Sequence, residues 1–328
     1  MFKRLTCIAA ALLALAASPA FAQGKDKVVL LLNWYVYSEH APFFLGKARG
    51  YFDQEGIDLD IQEGRGSGVT VQAVAAGTAT FGYADVATMI KAASKGAPVT
   101  PVGVALQTSP MSAMAFADKN IRKPADIKGK TVAVTPGDSM SQVWPLFLKK
   151  TGLNESEFKT VSGDAQTKLN AVMNGQADLL LGYVMDQAIK LQDATHKDVY
   201  PIRFADYGVN MVSSGIIVQK DYLKAHPDVV KRFLRAATRS LEEAAKNPEA
   251  AVDAMLKANP KSGVKDTALV GMKNTAALYH GPDNPKDRPL RVGARNMDET
   301  LALLVEYGGL DKASAGKAAD YYTNDFLP

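Results

Sequence analysis

The side chains of this 328-residue chain that could do chemistry gather where apolar runs end. After Val28-Val29-Leu30-Leu31-Leu32 come Trp34-Tyr35-Val36-Tyr37 and then Ser38-Glu39-His40. The rings of Trp34 and Tyr37 could stack on a flat ligand, each worth about 0.5–1.5 kcal/mol beyond area burial, or simply cap a core. His40 could donate to a carbonyl or ring nitrogen, or be a structural histidine. Glu39 could accept from a ligand, or sit at a helix start where the dipole favours an acid. Gly64-Arg65-Gly66-Ser67-Gly68 follows the next apolar run, and such a turn lets backbone N–H groups approach an anion or carbonyl. It lacks the phosphate-loop lysine, so Ser67 and Arg65 are either ligand contacts or parts of a tight capped turn. Asp85 is a ligand acceptor or a helix cap. A second set follows the same logic later in the chain: Asp138 and Ser139 after a strand-like run, Tyr183 and Asp186 after another, and Asn210 beside a third.

The chemistry this set suggests is holding, not turnover. No HExxH, no G-x-S-x-G and no close histidine pair occurs, and the lone cysteine is Cys7. A secreted enzyme therefore has no specific support, and no metal or cofactor is expected. Among the candidates Glu39, Asp85, Asp138, Asp186 and Asp206 are acidic, while Arg65 stands nearly alone as a base. That balance leans toward an amine-bearing or neutral ring ligand, since an anion pocket should offer guanidinium forks or free amides.

Residues 1–22 read as a secretory leader: Lys3-Arg4, an apolar run from Ile8 to Ala17, then Ala20-Phe21-Ala22 with cleavage before Gln23. Cys7 precedes the apolar run, so a lipid anchor is not expected, and the mature chain has no cysteine. Losing Lys3 and Arg4 lowers the formal charge of +4 by two, which leaves no footprint for nucleic acid or an anionic membrane. The mature length suggests two lobes.

To position these side chains, short apolar strands alternate with amphipathic helices, the pattern of α/β layers with mostly parallel sheets. Strands are predicted at 27–32, 57–62, 79–83, 99–106, 112–117, 131–135, 158–162, 177–182, 199–204 and 212–218. Helices include 41–50, 67–76, 86–94, 139–151, 165–174, 226–245 and 311–318. Segment 124–206 repeats the architecture of the first part, and the extended runs 112–117 and 212–218 read as paired crossovers forming a hinge over a cleft.

Several of these stretches carry a family resemblance: Leu32-Asn33-Trp34, Glu39-His40-Ala41-Pro42-Phe43-Phe44, Gly50-Tyr51-Phe52-Asp53-Gln54-Glu55-Gly56-Ile57-Asp58-Leu59, Ala76 to Asp85, and Ile127 to Val134. Over nearly all of the mature chain it resembles periplasmic solute-binding proteins of ABC importers. Within these it is similar to the nitrate/sulfonate/taurine group, and especially to the thiamine-pyrimidine-precursor-binding (NMT1/THI5-like) branch. The resemblance implies a type II, two-lobed α/β fold with a two-strand hinge, lobe 1 from 23–111 and 213–328 and lobe 2 from 112–212. It implies a periplasmic monomer that closes on a small flat solute and docks on an inner-membrane permease. The alternatives are an anion-binding importer subunit of the sulfonate or nitrate type and a ligand-presenting sensor subunit. Eukaryotic pyrimidine-synthase relatives of this fold carry a cysteine cluster that the mature chain lacks. Trp34 from one lobe and Tyr183 from the other are expected to face a common guest.

Overall fold

The computed structural model describes residues 24–313 and 315–328; the leader read at 1–22 lies outside them. Among the described residues ten strands build two five-stranded sheets. The first joins β1 (Asp26–Leu31), β2 (Ile57–Gln62), β3 (Phe81–Asp85), β4 (Val99–Val104) and β10 (Ser214–Gln219) in the order β2-β1-β3-β10-β4. The second joins β5 (Met111–Phe116), β6 (Thr131–Val134), β7 (Lys159–Ser162), β8 (Leu179–Tyr183) and β9 (Val199–Arg203) in the order β7-β6-β8-β5-β9. The two orders are the same topology, so the repeat read between the halves is real.

In each sheet one strand runs against the other four. That strand is β10 in the first and β5 in the second. They are the crossover strands, since β5 carries the chain out of the first sheet and β10 brings it back. An antiparallel partner is what a chain returning from another lobe must be, because it enters from the end where its neighbours leave. β3, β4 and β8 are buried along their whole length, as strands covered on both faces must be.

Among the described residues twelve α-helices cover the sheets: α1 (Ala41–Ala48), α2 (Tyr51–Gln54), α3 (Ser67–Ala75), α4 (Val86–Ala93), α5 (Ser139–Thr151), α6 (Ala165–Met173), α7 (Ile189–Thr195), α8 (Lys220–Ala225), α9 (Pro227–Lys246), α10 (Pro248–Ala258), α11 (Lys265–Ala276) and α12 (Ala294–Glu306). The longest, α9, buries Val229, Val230, Phe233, Leu234, Ala237 and Leu241 on one stripe, and Phe233 stacks on Phe81 of β3 at 4.1 Å between ring centroids. Aspartates start three helices by accepting from the third backbone N–H: Asp85 for α4 at 2.8 Å, Asp138 for α5 at 2.7 Å and Asp164 for α6 at 2.8 Å. The helix expected over 311–318 does not form. Gly316 there takes a left-handed φ of 64°, which breaks a helical run, and a short 3-10 turn follows at Ala318–Tyr321.

The connectors between the sheets bond to one another. Leu106 N donates to Ser214 O at 3.0 Å and Ser213 N to Leu106 O at 2.9 Å. Beyond them the lobes touch directly: Gly68 N donates to Gly137 O at 3.2 Å, Lys91 Nζ to Gln142 O at 3.0 Å and Lys149 Nζ to Glu306 O at 2.8 Å. The molecule is closed.

Candidate ligand-binding site

A small cavity that opens to solvent lies where the carboxyl ends of β1, β2, β6 and β8 face each other. This is where open α/β sheets place ligands. Asn33, Trp34 and Tyr37 line it from the loop after β1, and Gly66 and Ser67 from the start of α3. The other wall comes from Asp138, Ser139 and Met140 at the start of α5, Lys168 of α6, and Gly182, Tyr183, Asp186 and Gln187 around the end of β8. A π-helical turn, Val184–Ala188, follows β8 and brings both Asp186 and Gln187 to the wall. Such wide turns recur at functional sites.

The two glycine turns meet edge to edge. Gly66 has φ 135°, and a Cβ there would lie 2.7 Å from Gly137 O. Only glycine allows both that backbone and that approach.

A relay of hydroxyls crosses the cavity floor. Ser139 Oγ and the Tyr183 hydroxyl are 3.0 Å apart, Tyr183 and Ser213 Oγ 3.1 Å, and Ser213 Oγ donates to Asp85 Oδ2 at 3.3 Å. Ser67 Oγ accepts from Asp85 N at 3.0 Å. The relay thus joins both lobes through the hinge. A second bridge is a latch near the mouth: Tyr35 donates its hydroxyl to Asp186 Oδ2 at 2.5 Å, and Gln187 Nε2 donates to Tyr35 at 3.2 Å and also to Asp186. Lys190 Nζ lies 3.7 Å above the Tyr35 ring and 3.4 Å from Asp186 Oδ1.

Of the residues singled out in the sequence, Trp34, Tyr37, Ser67, Asp138, Ser139, Tyr183 and Asp186 line this one cavity. Trp34 and Tyr183 come to it from opposite lobes. The other five lie elsewhere. His40 is fully buried behind the wall, where Tyr37 N donates to its Nδ1 at 3.4 Å. Its Nε2 therefore carries the proton, which it donates to Asn33 Oδ1 at 2.8 Å. Burial lowers its pKa to about 3, so the ring is neutral and orients Asn33. Glu39 is 1% exposed beneath Tyr37, whose hydroxyl donates to it. Burial raises its pKa to about 7, against the opposing hydrogen bonds of Ser214, Tyr37 and Tyr83. Asp85 sits behind Ser67 as a helix cap, its pKa raised by burial to about 6. Arg65 is exposed. Asn210 belongs to the hinge, its Oδ1 accepting from Ser109 N at 3.1 Å.

Asn33, Gln187 and above all Lys168 were not singled out in the sequence. Lys168 could have been found: in Ala165–Met173 it stands on the stripe of Ala171 and Val172, three and four residues on, where a charge is out of place. Gln187 left no such signal, because a π-helical turn has no sequence signature.

The NMT1/THI5 like family profile matches residues 37–251, more than half of the chain. The chain belongs to that family. A 4-amino-5-hydroxymethyl-2-methylpyrimidine phosphate synthase of Legionella pneumophila is 27% identical over 239 residues, 72% of this chain and 75% of the relative. The formylaminopyrimidine-binding protein of Halalkalibacterium halodurans is 22% identical over 293 residues, 88% of each chain. In fold, the chain matches the alkanesulfonate-binding protein SsuA of Xanthomonas axonopodis pv. citri, bound to MOPS, with TM-score 0.69 at 15% identity over 91% of this chain and 99% of that one. The NMT1/THI5-like chain thus has the fold of periplasmic substrate-binding proteins.

Proposed function

We propose that the chain is the extracytoplasmic substrate-binding subunit of an ABC importer, and that it captures a small flat organic solute of the pyrimidine or thiamine-precursor kind without converting it. The observation that carries this reading is the interlobe cavity, ringed by Trp34 and Tyr37 from one lobe and Tyr183 from the other and shut by contacts on either side. A site of this kind covers most of a ligand's surface and ties its binding to lobe closure. A pyrimidine-like guest is supported by the name of one relative, the formylaminopyrimidine-binding protein. Lobe 1 comprises 23–111 and 213–328 and lobe 2 comprises 112–212, with the closed pair presented to a permease by a monomer. Export through the leader would leave Gln23 as the first residue, which N-terminal sequencing of periplasmic protein reads directly.

Relatives named as synthases make turnover the second reading. Native mass spectrometry of the protein from its own periplasm separates the two. A single co-purifying heterocycle, released unchanged after long incubation, supports capture. A ligand mass that changes with time supports the enzyme, and a chain that retains no heterocycle and shifts with none in a thermal panel removes the ligand class.

A further inference from the structure

Lys168 is a lysine on a helix stripe that otherwise reads as core. It is 1% exposed, on the inner face of α6. Its Nζ donates to Leu181 O at 2.8 Å, lies 3.6 Å from Asp138 Oδ2, and stands 5.5 Å from the centroid of the Trp34 ring across the cleft. An ammonium has three donors. One is spent on Leu181, a second points at a carboxylate beyond hydrogen-bond length, and the third is left to the cavity. On the facing wall Trp34 Nε1 is a buried donor with no well-formed hydrogen bond, its neighbour being the Tyr35 hydroxyl.

The acids of the cavity each spend one oxygen and set the other against a cation. Asp138 Oδ1 caps α5, and Asp186 Oδ2 takes both Tyr35 and Gln187. Of the remaining oxygens, Asp138 Oδ2 faces the Lys168 ammonium at 3.6 Å, and Asp186 Oδ1, which makes no hydrogen bond, faces that of Lys190 at 3.4 Å. Lys168 keeps donor capacity beyond Leu181, and a buried donor with no acceptor is costly. Burial also pulls the Lys168 pKa down, and the nearby carboxylates Asp138 and Asp186 pull it back up.

We infer that the space between Lys168 and Trp34 is an oxyanion subsite, at which the ring-bearing solute presents a carboxylate or similar anionic acceptor. This rests on the function proposed above and narrows its ligand to a flat ring with an acidic substituent. A lysine that served only as counter-ion to Asp138 would lose its effect on ligand preference once Asp138→Asn is present, whereas a direct contact is lost on Lys168→Met in that background too.

The test uses the full mature chain and two probes that differ at one position, 4-amino-2-methylpyrimidine and its 5-carboxylate, titrated calorimetrically near neutral pH. The carboxylate should bind at least about tenfold tighter, the effect of one charge-assisted contact. Lys168→Met should bring the two affinities together by weakening only the carboxylate. Trp34→Phe, which keeps a ring but removes the N–H, should narrow the gap as well and serves where Lys168→Met does not fold. Equal binding of both probes to the unaltered chain, or a preference that survives Lys168→Met, overturns the subsite and leaves ring capture standing. Binding of neither probe overturns ring capture, and the subsite falls with it.

Discussion

Behind the cavity wall, Glu39 and His40 are adjacent, fully buried, and shifted in opposite senses by the same cause. Burial disfavours charge, so the acid holds its proton and the base loses its own. For Glu39 the folded pKa of about 7 lies above the unperturbed 4.5. Its contribution to stability is therefore full below that lower value and is lost as pH rises through the folded one. Glu39→Gln removes this titration. The melting temperature of the variant relative to the parent should climb between about pH 5 and about pH 8, by the equivalent of up to ~1.4 kcal/mol per pH unit. A difference that is flat across that range would show that Glu39 is charged throughout. His40 works in the other direction: its stabilising effect is present above 6.5 and is lost as pH falls toward 3. The ring-bearing wall residues were legible in the sequence because strand ends are where ligands sit: Trp34 and Tyr37 follow β1, and Tyr183 ends β8. The sign of the free polar capacity was not legible, because whether an aspartate is available depends on what else reaches it.

Among the elements, the turns after β2 and β6 decide whether the lobes can meet. Gly66→Ala puts a methyl 2.7 Å from Gly137 O on a backbone at φ 135°. It should cost about 1–3 kcal/mol of stability and hold the cleft ajar. Small-angle scattering with ligand present should then give a larger radius of gyration than the parent. Gly137→Ala is the control: its Cβ meets nothing within 4 Å, although φ is 83°, so it should lose stability and still close. The latch makes a separate prediction. Tyr35→Phe removes the hydroxyl bonded to Asp186 and Gln187, contacts that exist only between closed lobes. Ligand affinity should fall by about 1–2 kcal/mol, roughly 5–30-fold, with the melting temperature of the ligand-free chain changed far less. An unaltered dissociation constant would place the latch outside the closing equilibrium. The ten strands expected from apolar runs all form, within two residues of the expected ends. The exceptions are among short helices. α2 forms from four residues between Gly50 and Gly56 because Tyr51 and Phe52 are buried, a tertiary cause, and 311–318 stays irregular at Gly316.

At the scale of the molecule, binding and stability are one equilibrium. A ligand that binds only the folded, closed chain, at a hundred times its dissociation constant, adds about 2.7 kcal/mol. At about 2–4 °C per kcal/mol for a domain of 150–250 residues, that raises the melting temperature by roughly 5–11 °C. A panel of amino-pyrimidines read by differential scanning fluorimetry checks it, and no shift with any of them would exclude the proposed guest. Trp34 gives a second readout, for the chain has two tryptophans and Trp144 is buried against Phe147 and Phe204 in lobe 2. What the order of residues determined by itself was local and periodic: the strands, the capped helices, the repeat of one α/β unit in two halves, the paired crossovers, and the rings at strand ends. What only the tertiary structure decided was which groups are left over when the two halves shut. Asp85 and Asp138 are consumed as helix caps, His40 and Glu39 retreat behind the wall, and Lys168 arrives from a helix face that reads as core. The reason is that hydrogen-bond saturation is a property of the assembled neighbourhood: each donor and acceptor is spent on whatever the folding of distant segments brings within about 3 Å.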